Sequence, residues 1–343
     1  MNRYGLPYMG SKNKIANWVV DVLPKSERLY DLFCGGCAVT HAAMMRGKYE
    51  HYHVNDINNI GGAFCDIIKG KLQPDYRWVS REEFHRLKDT DPIVQIVWSF
   101  GNNGRDYLYG KDREELKKAM HYAVVFGDYS MSDALGINLH PLDQYDTLEE
   151  RYRAYKQLYA LAFSKEDKTP PPLYHYIEDV QRIFNLSKMQ VESERFLCSS
   201  FKKKKSSRLQ PIERTWQAWN ALLGLSKWGG KLGCLDLIST QLDYQDVEIL
   251  PHSTVYCDIP YKDTGGYGKS KYGGFDYERF YAWADSREYP IFISEYQMPS
   301  EFVPIACKVR IGTMCQNNNH EVREEKIFVQ KRFAEQYRTN LFL

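Results

Sequence analysis

The run Ser253-Thr-Val-Tyr-Cys-Asp-Ile-Pro-Tyr261 joins a β-rich segment (Val255, Tyr256, Cys257) to a carboxylate and an aromatic ring. β-branched and aromatic residues suit a buried strand. Pro260 cannot donate a ladder hydrogen bond, so the strand stops there. In an open α/β sheet, ligands bind just past the carboxyl ends of the strands. Asp258 and Tyr261 at such a place could clamp a flat, hydrogen-bonding heterocycle. Asp-x-Pro-Tyr is also an ordinary turn, so its meaning depends on what the rest of the chain supplies.

A second chemical stretch lies near the N-terminus. Arg28 to Phe33 reads as a strand running into Cys34-Gly35-Gly36-Cys37 and a small-residue helix, Ala38 to Met45. Strand, glycine turn and helix form the first βα unit of a nucleotide-binding half, the glycines letting backbone approach a ligand. The next strand, His51 to Asn55, ends at Asp56, about 20 residues after the glycines, where an acid can bind ribose hydroxyls. Ahead of both, Tyr8-Met-Gly-Ser-Lys12 precedes an amphipathic run, Ile15 to Leu23, ended by Pro24. Such a loop can approach an anion, and it can equally be a capped surface helix. Cys34-x-x-Cys37 between strand and helix is also the placement of a thioredoxin-type redox pair. The downstream Asp56, the long continuation of the chain and the tight packing of the turn count against that reading.

Taken in order, the lysine loop, the glycine turn, Asp56 and Asp258-Ile-Pro-Tyr261 resemble the Dam-type DNA adenine-N6 methyltransferases. The resemblance implies a Rossmann-like methyltransferase sheet, S-adenosylmethionine as cofactor and double-stranded DNA as partner, and it leaves room for a companion restriction endonuclease. It places Tyr8, Lys12, Asp31, Phe33, Gly35 and Asp56 at the cofactor, with Tyr244 beside its adenine, and Asp258 at cofactor and substrate alike. It makes Asp258, Ile259, Pro260 and Tyr261 the catalytic motif, with Ile259 in place of the family's first proline. Cys37 stands where the family's turn has its last glycine. Ile259 still supplies a backbone carbonyl, the group the family uses there, so activity is expected to survive.

These residues need a sheet on either side of an insertion. The expected fold is α/β: a cofactor-binding catalytic domain from residues 1–70 and 236–343, and a mostly helical target-recognition domain from 71–235. In the insertion, Arg77–Lys88, Asp112–Val125, Glu149–Phe163, Glu178–Leu186 and Trp216–Leu225 have helical patterning, and Thr169-Pro-Pro-Pro172 marks a corner. Asn102, Asn103 and Arg105, in a glycine-punctuated turn, could meet bases or phosphates, and so could Lys202, Lys203 and Lys204. Both segments read equally well as a plain turn and a solvated lysine loop. After Tyr261, a glycine-rich loop to Gly274 could serve as a lid or as a connector. Phe275–Asp285 is expected to be helical and Pro290–Ser294 a strand. Ile305–Ile311 and Lys326–Gln330 would pair across a polar turn, Asn317–Glu325.

Composition narrows the class. The 343 residues, 43% hydrophobic and 26% charged with net charge +2, describe a globular chain without a strong polyanion-seeking field. No apolar run reaches the roughly 18 residues of a membrane span, no signal-peptide core is present, and eight irregularly spaced cysteines suit a reducing, cytoplasmic setting. No His/Cys spacing suggests a metal. A methyltransferase acting on RNA or a small molecule, and a non-catalytic DNA-binding relative, are the alternatives. The second is disfavoured by the intact Asp258 and Tyr261.

Overall fold

The computed structural model describes residues 4–73, 75–137, 139–162, 213–233, 235–262, 274–311 and 322–337. The Lys202–Lys204 block, the Thr169–Pro172 corner, the Glu178–Leu186 helix and most of the glycine-rich loop after Tyr261 lie outside them.

Two compact units emerge, Met1–Gln73 with Ala221–Leu343, and Pro74–Asn220. The first is built on a seven-stranded sheet: β1 (Arg28–Asp31), β2 (His51–Asn55), β3 (Asp236–Thr240), β4 (Ser253–Cys257), β5 (Ile291–Glu295), β6 (Phe302–Ile311) and β7 (Val322–Gln330). Their order is β3-β2-β1-β4-β5-β7-β6. The first five run parallel, and β7 runs antiparallel to both its neighbours. β1, β4 and β5 are buried almost throughout, as expected of parallel strands covered on both faces. β3 buries only Leu237, which explains why its sequence carries no clear strand signal. The chain moves outward from β1 to β3 and returns to β4 beside β1. That reversal is a topological switch point, the place where open α/β sheets bind ligands.

Three short helices accompany the first strands: α1 (Ala16–Val22), α2 (Ala38–Met45) and α3 (Ile60–Ile68). The second unit is helical, with α4 (Arg81–Leu87), α5 (Pro92–Val97), α6 (Glu114–His121), α7 (Ser130–Ala134) and α8 (Leu148–Ala162). α4 starts later than its periodicity predicts because Ser80 caps it, accepting from the Glu83 amide. The core of this unit is aromatic, with Trp78 4.9 Å from Trp98 and His121 within 5.4 Å of Trp219 between ring centroids. Near its two ends, Tyr76 and Trp219 meet edge to face at 5.1 Å. Helix α9 (Glu213–Leu232) leads out of it, and α10 (Tyr277–Ser286) and α11 (Ala334–Tyr337) complete the first unit.

One expectation is corrected here. Glu325 does not belong to a polar turn, because Val322–Gln330 is one strand paired with β6 from Ile311↔Val322 to Phe302↔Gln330. The charges of Arg323, Glu324 and Lys326 concealed it. Glu325 points inward, 1% exposed, two and four residues ahead of the buried Ile327 and Val329.

Candidate active site

The turn after β1 is held from both sides. Cys34 N–H bonds the Asn55 carbonyl at 3.0 Å, and Gly35 N–H donates to Asp56 Oδ2 at 2.9 Å, tying the turn to the end of β2. From the other side, Leu6 N–H bonds the Gly36 carbonyl at 2.7 Å, which lays the N-terminal segment over the turn. Gly35 has φ +45°, and a Cβ there would sit 3.0 Å from the Tyr8 ring, so only glycine lets that ring lie on the turn. Cys37 adopts φ 58°, ψ 33°, so the cysteine keeps the left-handed path that a glycine would take. Both thiols are buried, and burial with neighbouring acids pushes them up from the usual thiol range. An activated redox pair needs the opposite shift.

Asp31, at the last position of β1, is 1% exposed. Its Oδ2 accepts from Thr40 Oγ1 at 2.7 Å, while Oδ1 is buried with no hydrogen-bond partner among the described residues. Burial, against the Thr40 bond and with Asp258 and Asp56 nearby, raises this carboxyl to about 7. Asp56 is raised by burial too, against hydrogen bonds from Asn58 and Gly35. Phe33 and Tyr244 lie with ring centroids 5.3 Å apart at the ends of β1 and of the segment after β3. Asn55, which the sequence did not single out, fixes this edge of the sheet. Its Nδ2 donates to Leu32 O (3.2 Å) and Leu242 O (3.1 Å), and its Oδ1 accepts from Thr240 Oγ1 (2.8 Å) and Leu242 N (3.0 Å).

Past the end of β4, the Asp258 side chain is 19% exposed and its Oδ1 lies 2.8 Å from Lys12 Nζ. The same ammonium lies 3.1 Å from Glu325 Oε1 and 4.2 Å from the centre of the Tyr261 ring. The Tyr261 hydroxyl donates to Glu325 Oε1, and its ring meets Tyr296 edge to face at 4.6 Å. Lys12, expected in the cofactor loop, is thus brought to the acid of the catalytic motif. Burial alone would lower its pKa, but Asp258 and Glu325 outweigh it and raise it. Ile259 is 1% exposed within the apolar cluster that holds Phe280 and Ile293. This is why isoleucine is accommodated at that position. Pro260 follows, half-buried. Glu295, at the end of β5, accepts from Lys262 N (3.1 Å) and Tyr296 N (2.7 Å). Burial raises it to about 7. Of the sites missed, Glu325 and Glu295 each had one usable signal: Glu325 lies two residues ahead of the buried Ile327 on its strand, and Glu295 ends a continuous apolar run.

In the second unit the turn after α5 is self-contained. Asn102 Nδ2 donates to Ile96 O at 2.8 Å. Asn103 Oδ1 accepts from Arg105 N (2.8 Å) and Asp106 N (3.0 Å), and its Nδ2 donates to Asp106. The Arg105 side chain is 63% exposed, paired with Asp106 at 3.0 Å. Among the described residues no group of His, Cys, Asp and Glu could hold a metal ion, and no helix is long and apolar enough to cross a membrane.

A mostly parallel seven-stranded sheet with a glycine turn after β1 and acids at the strand ends is a Rossmann-like methyltransferase fold. Residues 8–133 match the family model of the D12 class N6 adenine-specific DNA methyltransferases. The match agrees with the motif-based recognition of a Dam-type enzyme, and methylation of adenine N6 in DNA is the activity that family implies. No curated protein matches the chain.

Proposed function

We propose that this enzyme transfers the methyl group of S-adenosylmethionine to N6 of adenine in double-stranded DNA, at the switch point between β1 and β4. The observation that carries the site is Asp258, held by buried Lys12 beside Tyr261, across the same sheet edge from Gly35, Asp31 and Asp56. The residues fit the cofactor's chemistry. The unpartnered Asp31 Oδ1 suits an ammonium group, Asp56 suits ribose hydroxyls, and Phe33 and Tyr244 offer aromatic surface to a purine. When bound, S-adenosylmethionine supplies an electrophilic methyl on a sulfonium.

The chain's own residues have the harder task. The N6 lone pair of adenine is delocalised into the ring, so the amino group is a poor nucleophile. Asp258 and the Ile259 carbonyl accept its two hydrogens and localise the lone pair. Lys12, 2.8 Å from Asp258 Oδ1, fixes the orientation of the carboxylate. N6 is reached by extruding the base from the stack, and Tyr261 stacks on it there. Fixed positioning of acceptors supplies much of the acceleration.

The unit Met1–Gln73 with Ala221–Leu343 then binds cofactor and carries catalysis, and Pro74–Asn220 recognises the target. Tritiated S-adenosylmethionine offered with duplex DNA or RNA tests the reading. Label entering N6 of adenine in DNA supports it, and label entering only RNA sinks it.

A further inference from the structure

Glu325 stands on the antiparallel strand β7, outside the parallel strands whose ends form the site. Its carboxylate is nonetheless buried at 1% exposure, where Ile327 and Val329 show that an apolar residue would suit the strand. Burying a carboxylate is costly unless it is paired. Glu325 Oε1 takes two partners at once, Lys12 Nζ and the Tyr261 hydroxyl. Lys12 in turn bonds Asp258. The two proposed substrate-contacting residues, three apart in the chain, are therefore linked a second time, through space, by Lys12 and Glu325.

Among the described residues, the Lys12 ammonium is shared by these two acids. Were Glu325 absent, the whole charge of Lys12 would fall on Asp258 and weaken it as an acceptor. With Glu325 present, Asp258 keeps surplus negative charge while its orientation stays fixed. We propose that Glu325 is a positioning residue for methyl transfer. It draws Lys12 partly away from Asp258 and pins the Tyr261 hydroxyl, so that acceptor strength and ring orientation are set together. This rests on the assignment of Asp258 and Tyr261 above.

Among the described residues, the groups facing Asp258 include Lys12 from the N-terminal loop, Asp31 from β1, Tyr256 and Cys257 from its own strand, Tyr261, Glu295 from β5 and Glu325 from β7. Replacing Glu325 removes one negative charge from this set and favours the ionised form of Asp258. Glu325→Gln is therefore expected to slow single-turnover methylation of duplex DNA roughly 10- to 100-fold and to leave cofactor affinity near the wild-type value. The acid limb of its rate–pH profile moves to lower pH. In a Lys12→Met background the same substitution costs less than in the wild type, since the part of its effect that acts through Lys12 is already gone and only the part through the Tyr261 hydroxyl and the direct charge remains.

A wild-type rate in Glu325→Gln overturns the proposal. So does a loss that adds fully to that of Lys12→Met with an unmoved acid limb, which is what a merely structural role produces. If Glu325→Gln does not fold, Glu325→Asp carries the test, with the acid limb moving the same way by less and an unmoved limb counting against the role. Full activity in Asp258→Asn would instead overturn the site assignment itself.

Discussion

The two sides of the β1/β4 switch point carry acids in opposite electrostatic settings. On the β1/β2 side, Asp31 and Asp56 are met among the described residues by neutral donors: the Thr40 hydroxyl, the Gly35 amide and Asn58. On the β4/β7 side, Asp258 and Glu325 share the ammonium of Lys12. A carboxyl buried among neutral donors holds its proton, as Asp31 does to about 7. A carboxylate beside a buried cation is held in a fixed orientation by it. The first side therefore suits a ligand that brings its own positive charge, and the second suits a neutral amine that must be polarised.

This contrast can be broken most directly at Asp258. Asp258→Ala should lower methyl transfer by a factor on the order of 1,000 while cofactor binding stays measurable. Full activity would remove the distinction between the two sides. Asp31→Asn should do the reverse, weakening cofactor binding by roughly 10- to 100-fold, the worth of a hydrogen bond to a charged group. Calorimetric titration with the cofactor checks this. Unchanged affinity would show that the orphaned oxygen is not part of the cofactor site.

The same variant has a pH signature. Asp31 keeps its proton to about 7 when folded, against 3.8 for an ordinary aspartate, so the folded state holds the extra proton between these values. Stability from this group therefore falls as pH rises through that window. Glu295, raised to about 7, acts in the same sense, whereas His41, lowered to about 4 by burial, acts oppositely. The difference between Asp31→Asn and wild type isolates one group. The variant should gain relative stability from about pH 4 to about pH 7 and stay level above, as read by denaturant midpoints.

Asn55→Ala tests the brace common to both strand ends. It leaves buried carbonyls and amides without their partners, at a cost of about 2 kcal/mol, measurable by urea unfolding. The smallest effect is expected in the second unit. Arg105→Ala should reduce the salt slope of DNA binding by about one. Asn103→Ala should leave site selectivity unaltered, since that side chain is spent within its own turn. A changed methylation context in Asn103→Ala would show that it reads bases after all.

The β1–α2–β2 unit and the end of β4 were legible because continuous apolar runs there meet Gly35, Gly36 and Pro260, residues that punctuate a chain strongly. β3 was not legible, since an edge strand that buries only Leu237 has no alternation to read. Glu325 was hidden by the charged residues on either side of it. The role of Lys12 depends on partners on β7 and past the end of β4, and no spacing rule connects residues so far apart in the chain. Asn102 and Asn103 have the composition of readout residues, but their hydrogen bonds are local, a distinction only coordinates make.

The Tyr76–Trp219 contact has a kinetic consequence. β2 must pair with β3 across the whole of Pro74–Asn220, from His51↔Asp236 to Asn55↔Thr240. Closing so long a loop, rather than a short crossover, costs about 2 kcal/mol in chain entropy. It also delays the pairing, because long-range contacts are slow to form. An insertion that folds first and clasps its own entry to its exit presents the sheet with two nearby ends. The search for β3 then becomes that of a short connection, and Trp219→Ala should slow refolding of the sheet more than it speeds unfolding.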